Sequence, residues 1–329
     1  MSEILIPHTE RDGAIHDYVP GQPIPTLLRD PRTGEVYVNE LKRYVKPFTL
    51  VTDPVSITLA GDATSDLIPM VIDNKGHFEI FQAFFVSQRS EGFTVELFET
   101  EDRPFLMNRE VHVRTIASGG GVTTKFGGTF GAVGSAGRPF RWPESLWMGA
   151  EEGEGSKAIF ARFRNLSGSE NTIRFNLHGL RWYHTVAPPK VADRMKAIYH
   201  GRFRSMPYFY TTEGFVRLSA SGTDTAFTRF TDEAWTEWVK GMSISTGRYN
   251  VRILETASTK RFMEQAIRDD IAFGNGEFPF LLWESSLFEP DYQLSFEVAD
   301  LSGLENDIWI TLACRKIFWD PKEGRLGRP

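Results

Sequence analysis

The sequence predicts an all-β protein built as a tandem duplication of one β-sandwich domain, jelly-roll-like, behind an extended N-terminal arm. Three observations support this fold class. One stretch of the chain occurs twice, short apolar runs alternate with polar residues, and the first half holds no convincing helical pattern of ten or more residues. An internal repeat weighs most, because it fixes the architecture of the whole chain.

The repeated stretch lies at 138–183 and again at 277–318. When the copies are aligned with an offset of 135 from Leu166 onward, seven of the twelve positions between Leu166 and Leu177 are identical. A second match joins TVELFET at 94–100 to NVRILET at 250–256. The matched blocks follow one another in the same order in both halves, which indicates one duplicated domain.

Residues 1–46 are predicted to form the arm. Five prolines break any long element there, and the residue before each proline is pushed towards extended conformations. They are Pro7, Pro20, Pro23, Pro25 and Pro31. Such a segment buries little of itself, so we expect it to lie on its own domains or on a neighbouring subunit.

The first sandwich domain is predicted at 47–184. Phe93, Val95 and Leu97 alternate with polar residues, as expected of half-buried strands. VHVRTI at 111–116 is also interpreted as a strand, and PFLMNREVH before it as one helical turn or a strand edge. Turn residues separate the runs at the spacing of a β-sandwich or jelly roll.

A glycine-rich insertion at 117–137 interrupts this domain, with eight glycines in 21 residues. It is either a flexible surface loop or a loop that orders on a partner. Its spacing does not match a nucleotide-binding fingerprint. The candidate interaction residues of this loop are Gly120, Lys125, Phe126 and Phe130.

A linker at 185–207 precedes the second sandwich domain at 208–319 and a polar tail at 320–329. The linker offers one short helix, Val191 to Tyr199, with Pro189 near its start. It is the most basic piece of the chain, and it is either solvated or in contact with an acidic surface. Its candidate interaction residues are Arg194, Lys196, Arg202 and Arg204.

The composition limits the classes of partner that we expect for this chain. A formal net charge of -6 argues against a nucleic-acid partner. No stretch reaches the length of a transmembrane helix, so no membrane is expected, and the N-terminus does not match a Sec signal. Cys314 is the single cysteine, which excludes an intramolecular disulfide and favours a buried strand thiol.

Enzymatic chemistry finds little support, and neither a cofactor nor a metal is expected. A duplicated cupin would need histidines on both sets of strands, but the second half has none and no HxH pair occurs. A metal site using His77, His112, His178 or His184 in the first half alone stays open. No GxSxG elbow occurs. Glu144 and Glu284 match across the repeat but lie in different domains, so we interpret them as structural rather than as a glycosidase pair.

Six tryptophans flank the repeated stretch: Trp142, Trp147, Trp182, Trp283, Trp309 and Trp319. Such side chains serve as core or interface anchors, or as a platform on which sugars stack. The apolar residues after each turn are expected to point into the two cores: Ile173, Phe175, Leu177, Ile308, Ile310 and Leu312.

The repeated pattern resembles structural proteins of tailed-bacteriophage virions. RPFRWPESLW with NLSGSENTIRFNLHG in one half, and FPFLLWESSLF with DLSGLENDIWITLAC in the other, carry the resemblance across most of both halves. It implies a bacteriophage virion protein that decorates or cements the capsid or builds the neck or tail, with no catalytic residues. The second copy departs from the pattern by lacking the glycine loop and by holding Cys314 in place of Gly179.

Two hypotheses follow. The first is a non-enzymatic, oligomeric virion structural protein whose arm, glycine loop and linker contact other virion proteins and copies of itself. The alternative is a carbohydrate-binding or adhesin module of a tail or surface structure, which would need exposed aromatic side chains in a groove.

Overall fold

A computed structural model describes most of the chain in two units, 1–46 and 47–329. In the first unit β1 (Pro7–Thr9) pairs antiparallel with β2 (Ile15–Asp17). The described residues are 7–9, 15–17, 44–72, 76–100, 103–104, 106–121, 134–135, 138–149, 157–202, 205–212, 216–231, 234–255, 262–273, 280–320 and 325–326.

The first half folds into two antiparallel-dominated sheets. The elements are β3 (Val45–Val51), β4 (Ile57–Leu59), β5 (Ile68–Ile72), β6 (His77–Ser87), β7 (Phe93–Thr100), β8 (Arg103–Pro104), β9 (Val111–His112), helix α1 (Val113–Ile116), β10 (Ser118–Gly121), β11 (Gly134–Ser135), β12 (Arg138–Pro139), β13 (Leu146–Gly149), β14 (Lys157–Asn165) and β15 (Asn171–Trp182). One sheet has the order β3–β15–β6–β13, with β4 on β15 and β10 parallel to β6, and the other has the order β5–β14–β7–β9, with β8 on β7.

The second half repeats this order. After a 3-10 turn (His184–Val186), its elements are α2 (Pro189–Arg202), β16 (Ser205–Thr211), β17 (Val216–Leu218), β18 (Thr223–Arg229), β19 (Trp235–Ser245), β20 (Tyr249–Glu255), β21 (Ile267–Arg268), α3 (Asp269–Ala272), β22 (Phe280–Phe288), β23 (Gln293–Asp300), β24 (Asn306–Ile317), β25 (Trp319–Asp320) and β26 (Arg325–Leu326). One sheet has the order β16–β24–β19–β22, with β17 on β24, and the other has the order β18–β23–β20–β21.

Each half is therefore a jelly roll, with two facing sheets between which the chain passes from strand to strand. Equivalent strand pairs of the two halves even share a register shift. In the β6–β15 pair it falls between His178 and Gly179 of β15, and in the β19–β24 pair it falls between Trp238 and Lys240 of β19. The predicted fold class and duplication are confirmed. The domain limits stay a proposal, since β3 and β16 each begin slightly before them.

The predicted core residues lie in the cores. Ile173, Phe175 and Leu177 are buried in the first jelly roll, and Ile308, Ile310 and Leu312 in the second. Alternation is clear on β15, whose outward side chains are half-buried or exposed, whereas β24 is buried on both faces over most of its length. Something must therefore cover the outer face of the second jelly roll.

One local prediction differs from the structure, and one is confirmed with wider bounds. VHVRTI is not a strand throughout, because β9 ends at His112 and α1 follows. The imidazole Nδ1 of His112 accepts from the N–H of Arg114 at 3.2 Å, and the Thr115 hydroxyl donates to the His112 carbonyl at 2.8 Å. These side-chain bonds cap a helical turn that apolar alternation does not reveal. The predicted linker helix is confirmed and is longer than expected, as α2.

Candidate functional site

The repeated stretch forms the same turn in both jelly rolls, and a buried asparagine follows each turn. In the first, Asn171, the first residue of β15, is fully buried. Its Oδ1 accepts from the N–H groups of Gln88 and Arg89 at 3.0 and 3.2 Å, and its Nδ2 donates to the Gly92 carbonyl at 3.3 Å. The amide thus ties this turn to the turn between β6 and β7.

Asn306 repeats these bonds in the second jelly roll. Its Oδ1 accepts from the Gly247 N–H at 2.8 Å, and its Nδ2 donates to the Arg248 carbonyl at 3.3 Å and to Asp300 at 3.0 Å. Hydrogen bonds, that of the Ser302 hydroxyl foremost, hold the pKa of Asp300 well below its usual range. The repeat is therefore a scaffold feature rather than a reactive site.

The matched Glu-Ser pairs are structural as well. The Ser145 hydroxyl donates to Glu79 at 3.1 Å, and the Ser285 hydroxyl donates to Glu237. Glu79 pairs with Leu180 on β15 as Glu237 pairs with Arg315 on β24, so both glutamates occupy the same strand position. The repeated serine therefore has the same structural role in both halves.

A joint connects the two jelly rolls through apolar side chains. Phe209, Met242 and Ala313 belong to β16, β19 and β24 of the second jelly roll, yet they pack in the core of the first. The Trp142 ring meets that of Phe209 edge to face at 5.4 Å, and its Nε1 donates to the Ile116 carbonyl at 3.0 Å. The joint is thus an extension of one core, with no water-facing gap at these positions.

Backbone pairing strengthens the joint. The Phe209 N–H donates to the Leu106 carbonyl at 2.7 Å, so residues before β9 lengthen the sheet edge at β16. Asn108 bonds Thr211 in both directions, donating to its carbonyl at 3.0 Å and accepting from its N–H at 2.8 Å. Leu106 has a φ of 69°, a left-handed conformation that the surrounding contacts must hold in place.

Charged groups border the joint. Glu144 accepts from the Ser205 hydroxyl at 3.2 Å and forms an ion pair with Arg315 at 3.5 Å. Lys240 donates to the Arg141 carbonyl at 2.8 Å, and burial lowers its pKa. The Glu144 carboxylate, matched across the repeat with Glu284, thus has a structural role; the side chain of Glu284 is outside the described residues.

One buried imidazole lies within the joint. His112 is buried, and its ring centre lies 5.8 Å from that of Trp309 in the second jelly roll. Since Nδ1 accepts from the Arg114 N–H, the neutral tautomer carries its proton on Nε2, which lies 3.0 Å from the Glu91 carbonyl. Burial, assisted by the charge of Arg114, lowers the pKa of His112 to about 3.

The linker helix packs on the first jelly roll. Met195 and Tyr199 of α2 are buried, and the Tyr199 hydroxyl donates to the Gly149 carbonyl at 3.4 Å. The Tyr199 ring stacks on His77 with 3.6 Å between ring centres. A freely solvated linker therefore does not describe α2, although its outward residues face solvent.

The eight predicted interaction residues are not brought together into one described site. The backbone of Gly120 pairs with Val86 on β6. Arg194 and Lys196 lie half-buried on α2, and Arg202 is its last residue. The remaining four, Lys125, Phe126, Phe130 and Arg204, are outside the described residues.

Reactive chemistry has no evident location in the part of the chain that the structure describes. No cluster of three or more His, Cys, Asp or Glu side chains that could hold a metal occurs among those residues. Cys314 is fully buried, as predicted, and burial raises the pKa of its thiol.

Of the six flanking tryptophans, Trp142, Trp147 and Trp309 are buried and Trp182 is half-buried, while the side chains of Trp283 and Trp319 are not described.

Comparison with known proteins gives no family. No family model matches the chain, and no curated protein matches it. Solved structures do match over most of its length, at low similarity. The major capsid protein P2 of bacteriophage PM2 is 7% identical with a TM-score of 0.36, covering 84% of this chain and 99% of that protein.

Two further matches are viral. A triple jelly-roll protein of an archaeal virus is 10% identical with a TM-score of 0.20, covering 79% of this chain and 58% of that one. VP2 of the infectious bursal disease virus subviral particle is 9% identical with a TM-score of 0.23, covering 86% and 46%. Structural neighbours of this chain thus include viral jelly-roll proteins, at low structural overlap.

Among the described helices, none has the length and apolar character needed to span a bilayer. The feature that the geometry defines best is the joint, where side chains of the second jelly roll pack in the core of the first.

Proposed function

We propose that this chain is a non-enzymatic structural protein of a virion, assembling on a phage particle as a capsid-decorating, cementing or minor capsid component. The observation that carries the proposal is the joint: the two jelly rolls have corresponding strand orders, and side chains of the second pack in the core of the first, so residues 47–329 form a single two-lobed block. Such a block suits a lattice, because neighbours can be placed by two similar lobes at a fixed spacing.

Three segments are proposed as contacts to other virion proteins and to copies of the chain. They are the arm at 1–46, the glycine loop at 117–137 and the basic linker at 185–207. The loop starts from a fixed base, because Gly119 has a φ of 137° and a Cβ there would lie 2.1 Å from the Phe85 carbonyl oxygen. An anchored base with a long insertion beyond it fits a contact device.

The alternative, a carbohydrate-binding module, requires exposed aromatic rings. Each tryptophan side chain that the structure describes is buried or half-buried. The burial favours anchoring in cores over sugar stacking. Binding to a glycan array that is lost on Trp182→Ala would nevertheless reinstate it, since Trp182 is among the less buried of these rings.

The test is location. Antibodies raised against the chain should label virus particles released from producing cells, and electron cryomicroscopy of those particles should show density for two adjoining jelly rolls at regular lattice positions. Recovery of the protein only as a free species, with unlabelled particles, would refute the proposal.

A further inference from the structure

The two jelly rolls carry equivalent outer sheet faces, and among the described residues only the face of the second jelly roll is covered. In the second jelly roll this face holds Phe209, Met242, Thr311 and Ala313, each at most 2% exposed because the first jelly roll lies on it. The pairing of Thr311 with Met242 has its counterpart in the pairing of Asn176 with Phe84 on β15 and β6.

Among the residues that the structure describes, the counterpart face on the first jelly roll carries exposed side chains. Val51 on β3 is 38% exposed and Val86 on β6 is 40% exposed. Phe84 on β6 is half-buried, and its ring centre lies 4.5 Å from that of His178. We call this surface, formed by Thr49, Val51, Phe84, Val86, Asn176 and His178, the open face. Burial lowers the pKa of His178, which leaves it neutral at neutral pH and the centre of the face uncharged.

The element that covers the second jelly roll is also duplicated. In the first jelly roll α1 follows β9, and the Thr115 hydroxyl donates to that of Thr311 at 2.9 Å across the joint. In the second, α3 follows β21 in the same way, and the alignment of Val111 with Ile267 places Ile271 at the position of Thr115. Thr115 is fully buried, whereas Ile271 is 63% exposed.

Ile271 is therefore exposed at the position that the other copy of the helix uses for contact. We propose that α3 of one copy of this chain docks on the open face of a second copy, so that the joint inside each chain is repeated between chains. Ile271 would then lie over Asn176 and Phe84, as Thr115 lies over Thr311. The inference deepens the proposed self-assembly by naming its surface.

The electrostatics permit this contact. The counterpart of His112 is Arg268, whose guanidinium is paired with Asp270 at 2.6 Å. In the proposed contact the pair would therefore approach the exposed Arg174, on β15 beside the open face, with little net charge. Because the two contacting surfaces differ, the association is head to tail and can extend beyond two copies.

Paired cysteines test the geometry directly. Since the Thr115 and Thr311 oxygens are 2.9 Å apart, cysteines at the equivalent positions 271 and 176 of neighbouring copies should come within disulfide reach. The Ile271→Cys, Asn176→Cys double variant should form covalent multimers on oxidation, and Cys314, being fully buried, should contribute no background. The matched control is Leu304→Cys with Asn176→Cys, which should stay monomeric on a non-reducing gel although Leu304 is 71% exposed.

Sedimentation velocity of the full chain provides the second measurement. The wild-type chain should sediment as concentration-dependent oligomers, and Ile271→Asp should shift it to the 37.4 kDa monomer, whereas Leu304→Asp should not. Because Ile271 is exposed, its replacement should leave the fold intact, which the unfolding temperature verifies.

The proposal is overturned if the wild-type chain is monomeric at every concentration, or if its oligomers are unchanged by Ile271→Asp and the cysteine pair does not cross-link. These outcomes differ from a failure of the virion proposal. Particles labelled by antibody while Ile271→Asp has no effect would refute the open face alone. Oligomers that depend on Ile271, with unlabelled particles, would refute the virion role alone.

Discussion

Acidification should loosen the joint through His112. The imidazole is 3% exposed, and its pKa lies at about 3 because burial disfavours the charged ring. In the unfolded chain the pKa returns to about 6.5. Between these two values the unfolded state binds a proton that the folded state does not. The free energy of unfolding therefore falls as the pH falls through this window, and this contribution is retained in full above it.

The magnitude follows from the two pKa values. Each pH unit inside the window removes about 1.4 kcal/mol, so the loss attributable to this ring reaches about 2 kcal/mol at about pH 5. Chemical denaturation followed by tryptophan fluorescence measures it. His112→Asn is the informative variant, because its Oδ1 can still accept from the Arg114 N–H and cap α1. The stability advantage of the wild type over His112→Asn should shrink by that amount from about pH 7 to about pH 5.

His178→Asn is the matched control. His178 is half-buried on the open face and its pKa is lowered by burial to a lesser degree, so its replacement should change the pH dependence less. Parallel stability curves for the wild type and His112→Asn across the acidic range would refute the reasoning, since they would mean that His112 takes up its proton in the folded state as readily as in the unfolded one.

Three further predictions concern the scaffold, each measured as the free energy of unfolding. Asn306→Ala should cost about 2–4 kcal/mol because it leaves buried backbone groups unpaired, and Asn306→Asp should cost more at neutral pH because it sets a second carboxylate against Asp300. Gly119→Ala should cost about 2–5 kcal/mol, since its Cβ would meet a β6 carbonyl, whereas Gly303→Ala, at a φ of 70° with open space around it, should cost about 1 kcal/mol. Trp142→Ala should cost about 3–5 kcal/mol and should expose the joint to proteolysis; an unchanged cleavage pattern would contradict its anchoring role.

Much of the fold could be predicted because the alternation of apolar residues and the duplication are both visible in short stretches of the sequence. The alternation of Ile173, Phe175 and Leu177 predicts which side chains enter the core, and the offset of 135 predicts that a second set does the same. The turn at Asn171 could be interpreted as structural because Asn, Ser and Gly favour turn geometry. What could not be predicted is that the Asn amide bonds a different turn, far away in sequence.

The joint could not be found from the sequence because the residues that form it differ from the residues at the equivalent positions of the other half. Phe209 and Ala313 stand where Thr49 and His178 stand in the first jelly roll. A period-two pattern identifies the face of a strand but not what covers it. A usable signal existed on β24, where apolar residues run almost continuously from Ile308 to Cys314; such runs indicate a strand buried on both faces.

A repeated buried cation was also missed. Arg181 and Lys316 occupy equivalent positions near the ends of β15 and β24, both nearly buried. The Arg181 guanidinium lies 5.3 Å from the Phe48 ring centre, and the Lys316 ammonium lies 3.8 Å from that of Tyr208. Such contacts offset part of the cost of burying a charge. The sequence signal is present, since the offset of 135 aligns the two cations, but aligned charges are usually interpreted as solvated.

The divergence of the two copies points to the surfaces that assembly uses. Two free, identical jelly rolls would carry two identical outer faces, each needing a polar surface to stay soluble. Covering one face inside the chain allowed its residues to become apolar, as Phe209 and Met242 are. The open face was not covered in this way and still retains Val51, Phe84 and Val86, while the helix equivalent to α1 retains an exposed isoleucine. Both features are accounted for if the contact inside the chain is made again between chains.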